Sequence, residues 1–152
     1  MPDFIDIDGR VHHYRLRRGD GDRTIVFSNS LGTDLRIWDG VIAALPSDYT
    51  CLTYDKAGHG LSEAGPTSIE GFGADLVALM GALEIGHATV CGVSVGGMIA
   101  QSVAAARPDL VEHLILCNTS FRIGDEDMWN TRIAAVERDG LSAIADGVIE
   151  RW

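Results

Sequence analysis

The segment Gly92-Val93-Ser94-Val95-Gly96 is where this sequence can do chemistry. An apolar run, Ala88 to Cys91, leads into it, and a helical stretch from Met98 to Arg107 follows. A strand, a sharp G-x-S-x-G turn and a helix form a nucleophile elbow. Ser94 then sits at the apex with its hydroxyl pushed out over the end of the sheet. Glycine is expected at 92 and 96 because strand and helix approach too closely there for a Cβ. The helix N-terminus beneath Ser94 favours negative charge on a reacting oxygen.

A serine of this kind needs a base and an acid to orient it, and enzymes with this elbow supply them in the order Ser, acid, His. Only His113 follows Ser94, and it falls at the amino end of the strand containing Leu114. It should therefore point away from the site. His59 precedes Ser94 in a Gly-rich turn and reads as a turn or hydrogen-bonding residue. His12, His13 and His87 lie in strand or loop-edge contexts and are expected at the surface. Asp55 lies at a strand end, where loop hydrogen bonding is its expected task. Packing is expected of Trp38, and a surface ion pair of Arg36.

The elements that position Ser94 can be read from pattern. Phe4 to Ile7 and Val11 to Leu16 form a hairpin about Asp8-Gly9. Thr24 to Phe27 is a short buried strand, followed by a polar loop from Asn29 to Thr33. A short helix is expected from Leu35 or Ile37 to Leu45, closed by Pro46. Thr50 to Tyr54 is another strand. Thr67 and Glu70 have capping-box form, and the helix behind them carries Ile69, Phe72, Leu76, Leu79 and Leu83 on one face. Pro108 ends the helix after the elbow, and Leu114 to Cys117 is a further strand. Asp125 can cap a helix through Arg138, stopped by Gly140. A last amphipathic stretch carries Leu141, Ile144, Ala145, Val148 and Trp152. Strands alternating with helices predict an α/β fold, a mostly parallel sheet with helices on both faces. Reactive groups then gather at the carboxyl ends of the strands, as Ser94 does.

Composition narrows the function class. Among 152 residues, 46% are hydrophobic and 22% charged, which suits a globular domain. The net charge of −10 disfavours nucleic acid and anionic membranes as partners. No apolar run is long enough to span a bilayer, and the N-terminus lacks the pattern of a signal peptide. Cys51, Cys91 and Cys117 match no metal spacing and read as buried, reduced thiols, which implies a cytoplasmic protein. The last helical stretch carries no stop signal. Without the downstream acid and His that a triad needs, the expectation is the N-terminal part of a longer enzyme, or a chain completed by another. A self-sufficient small domain is the alternative.

These residues resemble the α/β-hydrolase fold through the elbow, the loop Asn29-Ser30-Leu31-Gly32 and the segment Tyr54-Asp55-Lys56-Ala57-Gly58-His59-Gly60. More narrowly, Ser28 to Asp39, Cys91 to Met98, and Trp129 to Val136 are similar to 3-oxoadipate enol-lactonases. The resemblance runs over essentially the whole chain. It implies a core over residues 1–120 and the start of a helical cap over 121–152. It implies a cytoplasmic, cofactor-free and metal-free hydrolase that opens the enol-lactone of 3-oxoadipate in bacterial aromatic catabolism, the β-ketoadipate pathway. Ser94 is then the nucleophile, and the backbone N–H groups of Leu31 and Val95 form the oxyanion hole. Many relatives have Arg where this chain has Ala57, which bears on loop rigidity more than on chemistry.

The substrate class implied by the resemblance carries a free carboxylate, which a guanidinium grips in a bidentate manner. Arg132 lies one helical turn from Trp129, so the two share a face. The expectation is that this face binds substrate; an ordinary solvated arginine is the other reading. Within the fold, an esterase, a C–C bond hydrolase or a cofactor-free haloperoxidase would share the elbow. Outside it, the chain would be a binding module or an assembly subunit without catalysis.

Overall fold

A computed structural model describes residues 3–150. The chain order of elements is β1 (Asp3–Ile7), β2 (Arg10–Arg17), β3 (Thr24–Ser28), α1 (Asp39–Ala44), β4 (Thr50–Tyr54), α2 (Ile69–Ala82), β5 (Ala88–Val93), α3 (Val95–Ala106), β6 (Val111–Cys117), α4 (Glu126–Asp139) and α5 (Ser142–Ile149). The expected helix after Thr33 begins instead as a 3-10 turn, Leu35–Trp38, capped by the Asp34 carboxylate. Only its second half is α-helical.

The six strands form one sheet in the order β1-β2-β4-β3-β5-β6. The β1–β2 hairpin is antiparallel and joins β4 antiparallel, while β4, β3, β5 and β6 run parallel. The strands therefore send β3, β5 and β6 out on the same edge of the sheet, where loops can converge.

Alternation along the central strands separates two apolar layers. Val26, Leu52, Tyr54, Ala88 and Val90 face one side, where Phe72, Leu76, Leu79 and Met80 of α2 and Ile99, Ala100 and Val103 of α3 cover them. Ile25, Phe27, Cys51 and Cys91 face the other, against Trp38 and Ile42. Trp38 packs with its ring centroid 4.9 Å from that of Phe27. Burying each large side chain contributes roughly 1.5–3 kcal/mol, so these two layers fix the sheet that carries the elbow.

Local signals were displaced by a residue or a strand-length at several points. The N-cap of α2 is Ser68 rather than Thr67, and its Oγ accepts from Gly71 N at 3.0 Å. Strand β6 starts at Val111, three residues before the apolar run. Asp125 caps α4 as expected, accepting from Met128 N at 2.8 Å, and Gly140 follows its end at φ 76°. Trp152 lies outside the described residues.

His12 and His13 are a correction. They are 2% and 5% exposed, not surface residues. Strand β2 is flanked by β1 and β4, and the His13 ring lies 5.2 Å from Phe4 and donates or accepts at Nδ1 with Asp55 Oδ2, 2.7 Å away. An interior strand with a buried carboxylate beside it shelters its histidines. Cys51 and Cys91 are buried free thiols, whereas Cys117 is half-buried.

Residues through Phe121 form one compact unit and those from Arg122 a second. The second consists of α4 and α5, which enclose a cleft of about 460 Å³ lined by Asp127, Met128, Thr131, Arg132, Ile144 and Val148, among others. No helix among the described residues is long and apolar enough to cross a membrane.

Candidate active site

Ser94 stands between β5 and α3 at φ 56° and ψ −121°. A serine at positive φ is rare and costs of order 1–3 kcal/mol, so the surroundings must hold it there. Four hydrogen bonds do so. Ser94 N donates to Cys117 O at 3.0 Å. Its carbonyl accepts from Thr119 Oγ1 at 2.6 Å, from Gly97 N at 2.9 Å and from Met98 N at 3.3 Å. The end of β6 and the residues just after it therefore grip both sides of the elbow.

The two glycines have the steric cause the motif implies. A Cβ on Gly92 would collide with the carbonyl of Gly96 in the first turn of α3. One on Gly96 would collide with the carbonyl groups of Ser28 and Asn29. The second contact matters most, because it brings the loop after β3 directly against the elbow. Register agrees, since Ser28 pairs with Gly92.

That loop is built around its own carbonyls. Asn29 and Ser30 are buried. Asn29 Nδ2 donates to Thr33 O, and Thr33 Oγ1 donates to Ser30 O at 3.0 Å. Leu31 emerges from this tight turn at 38% exposure. Among the described residues, neither Leu31 N–H nor Val95 N–H has a hydrogen-bond partner, and Ser94 Oγ has none either. Val95 N is one of the orphan donors at the start of a twelve-residue helix. Ser94 itself is only partly buried.

Asp55, directly after the end of β4, is buried. It is 1% exposed and accepts from Leu35 N at 2.8 Å and Leu61 N at 2.9 Å, besides its contact with His13. Its work is loop hydrogen bonding, as its position at a strand end suggests. His59 is a turn residue, with Nδ1 3.0 Å from Ala57 O; burial and the nearby Lys56 lower its pKa. His113 is exposed on β6 and pairs with Thr89. Five residues of extended strand separate Thr89 from Ser94, roughly 16 Å, so His113 cannot serve that hydroxyl. Arg36 makes the expected surface ion pair, with Asp34.

Two further residues lie near the site without being singled out by the sequence reading. Thr119 is identified only by what β6 places beside Ser94. Lys56 is the one lysine of the chain, is fully buried, and donates to Ser30 O at 2.6 Å and Asn29 O at 3.3 Å. Burial lowers its pKa to about 7, opposed by Asp55. A single lysine among arginines, directly after a strand, was the available signal.

Trp129 and Arg132 belong to the second unit. The Arg132 guanidinium carbon lies 5.1 Å from the Trp129 ring centroid, and Trp129 Nε1 donates to Ile123 O at 2.7 Å. The shared helix face is thus a stacked pair. A separate cavity of about 700 Å³, lined by His13, Arg15, Asp34, Arg36, Asp55 and their neighbours, does not include Ser94. Its two arginines are paired with Asp39 and Asp34. No cluster of three or more metal-ligating side chains occurs among the described residues.

Known proteins are similar to this chain in sequence and fold. The chain is 39% identical over 137 residues to 3-oxoadipate enol-lactonase 2 of Acinetobacter baylyi, covering 88% of this chain and 51% of the relative. It is 39% identical over 145 residues to 3-oxoadipate enol-lactonase 1 of the same organism, covering 95% and 54%. The crystal structure of the enol-lactonase from Burkholderia xenovorans superimposes with a TM-score of 0.91 at 41% identity, over 99% of this chain and 59% of that one. The chain spans about half the length of the curated relatives it matches. Residues 23–137 match the family model of the alpha/beta hydrolase fold, and the chain belongs to that family.

Proposed function

We propose that this chain carries the nucleophile and the oxyanion hole of a serine hydrolase that opens 3-oxoadipate enol-lactone. The observation that supports it most is Ser94 at positive φ with Oγ unpartnered among the described residues, while Val95 N–H next to it and Leu31 N–H on the loop packed against the elbow are unpartnered there too. A strained serine whose hydroxyl makes no hydrogen bond has no evident structural role for that hydroxyl.

In this reading Ser94 Oγ attacks the lactone carbonyl while a histidine takes its proton. The developing oxyanion is received by Leu31 and Val95 N–H, each worth roughly 3 kcal/mol in such sites. The ring opens to an acyl-enzyme as the enol oxygen leaves, takes a proton and ketonises. Water, activated by the same histidine, then releases 3-oxoadipate. No step calls on a cofactor. Since His113 stands too far away, the histidine and its acid are assigned to polypeptide beyond these 152 residues or to a second chain. The substrate preference draws on the two enol-lactonases of A. baylyi and on Arg132, to which we assign the substrate carboxylate.

Labelling of the intact protein with a fluorophosphonate tests the nucleophile. Rapid labelling, abolished in Ser94→Ala, is expected; an unreactive protein would leave a binding module or a non-catalytic assembly subunit as the better reading. Turnover of the enol-lactone against p-nitrophenyl esters then separates a lactonase from a general carboxylesterase.

A further inference from the structure

Lys56 poses a question that packing does not answer. An ammonium buried to 1% exposure is strongly unfavourable unless paired, and among the described residues it has no carboxylate within hydrogen-bonding reach. The adjacent Asp55 has its oxygens engaged by His13, Leu35 N and Leu61 N. Lys56 Nζ instead donates to two carbonyls of one loop, Ser30 O at 2.6 Å and Asn29 O at 3.3 Å.

Ser30 O belongs to the peptide whose other end is Leu31 N–H. A trans peptide is planar, and its C=O and N–H point in opposite directions. Among the described residues every peptide is trans. A donor fixed on Ser30 O therefore fixes the direction of Leu31 N–H on the far side. It also draws electron density out of the amide, which makes that N–H a stronger donor. Thr33 Oγ1 donates to the same oxygen at 3.0 Å, so the peptide is held by two side chains.

We propose that Lys56 is a positioning residue for the oxyanion hole: from behind the loop it orients and polarises the Ser30–Leu31 peptide, whose N–H receives the oxyanion. This rests on the hydrolase reading above. Burial holds the Lys56 pKa near neutrality; Asp55 raises it, and His59 is the other titratable group that senses it. Amine and ammonium both carry protons for the two carbonyls, so the tether survives titration while the polarisation weakens.

The test uses Lys56→Met in the intact protein, with enol-lactone or p-nitrophenyl ester as substrate. The expected result is a fall in kcat of about 10- to 100-fold with KM within about twofold. A trifluoromethyl ketone, which mimics the tetrahedral oxyanion, should weaken by the same factor as kcat/KM. Unchanged kcat, or a loss carried by KM alone, would overturn the proposal. Should Lys56→Met not fold, Thr33→Val removes the second side-chain donor to Ser30 O, and a smaller loss with the same split is expected. The amide resonance of Leu31 gives a readout independent of turnover. It should move in the Lys56 variant while that of Val95 stays, and an unmoved Leu31 resonance would sink the idea. If the wild-type protein neither turns over ester nor labels at Ser94, the hydrolase reading fails, and the Leu31 resonance alone decides whether Lys56 sets this peptide.

Discussion

Thr119 Oγ1 donates to Ser94 O across 2.6 Å, tying the segment that follows β6 to the strained turn of the elbow. The bond spans two segments that the parallel pairing of β5 and β6 brings side by side. It is one of four hydrogen bonds that hold a serine in a backbone conformation it would otherwise leave.

Thr119→Val removes that bond and keeps the shape. The Ser94 carbonyl retains Gly97 N and Met98 N as donors, so the loss of stability should be about 1 kcal/mol. The labelling rate of Ser94 should fall several-fold more than this stability loss explains, because the elbow relaxes. Urea denaturation and fluorophosphonate kinetics on the same variant check both.

Asp55→Ala should be far more damaging. It orphans Leu35 N–H and the His13 ring in the interior and releases Leu61 N–H. A loss of about 3 kcal/mol or more is expected, visible as a lower urea midpoint. Asp55→Asn retains one acceptor oxygen and should lose less.

Lys56 predicts how stability depends on pH. Its native pKa is near 7 against an ordinary value of 10.5. Between those limits the unfolded chain holds a proton that the native state has released, so the contribution of this group to stability rises with pH. The slope approaches about 1.4 kcal/mol per pH unit. Below pH 7 both states are protonated and the burial penalty is constant. Cys51 and Cys91 act in the opposite sense above about pH 9, since burial raises their pKa, that of Cys91 to about 12. Urea titrations of wild type and Lys56→Met should therefore diverge in slope between pH 7 and 9, and parallel curves would refute the shift.

Arg132→Ala tests the carboxylate assignment. In the intact protein KM for the enol-lactone should rise about tenfold, the loss of a charge-assisted pair being worth about 1.5–3 kcal/mol. Turnover of a neutral p-nitrophenyl ester should not change. An unaltered KM for the lactone would return Arg132 to an ordinary helix-surface residue stacked on Trp129.

Much of this protein was legible in the order of its residues. The glycine–serine spacing marks the elbow because strand, turn and helix are contiguous, and the steric need for Gly92 and Gly96 is local. Apolar spacing over Phe72, Leu76 and Leu79 and the cap at Asp125 are likewise short-range signals. The burial of His12 and His13 was not legible, because it depends on β2 being enclosed by β1 and β4, and on Asp55, 42 residues from His13. Nor could spacing find Thr119 or Lys56. Their partners, Ser94 and Ser30, become neighbours only when parallel strands far apart in the chain align their carboxyl ends. Sequence therefore determined which hydroxyl is presented and on what kind of turn. Tertiary structure decided what holds that turn in strain, and which carbonyls a buried ammonium reaches, because strand pairing and not chain proximity brings those groups together.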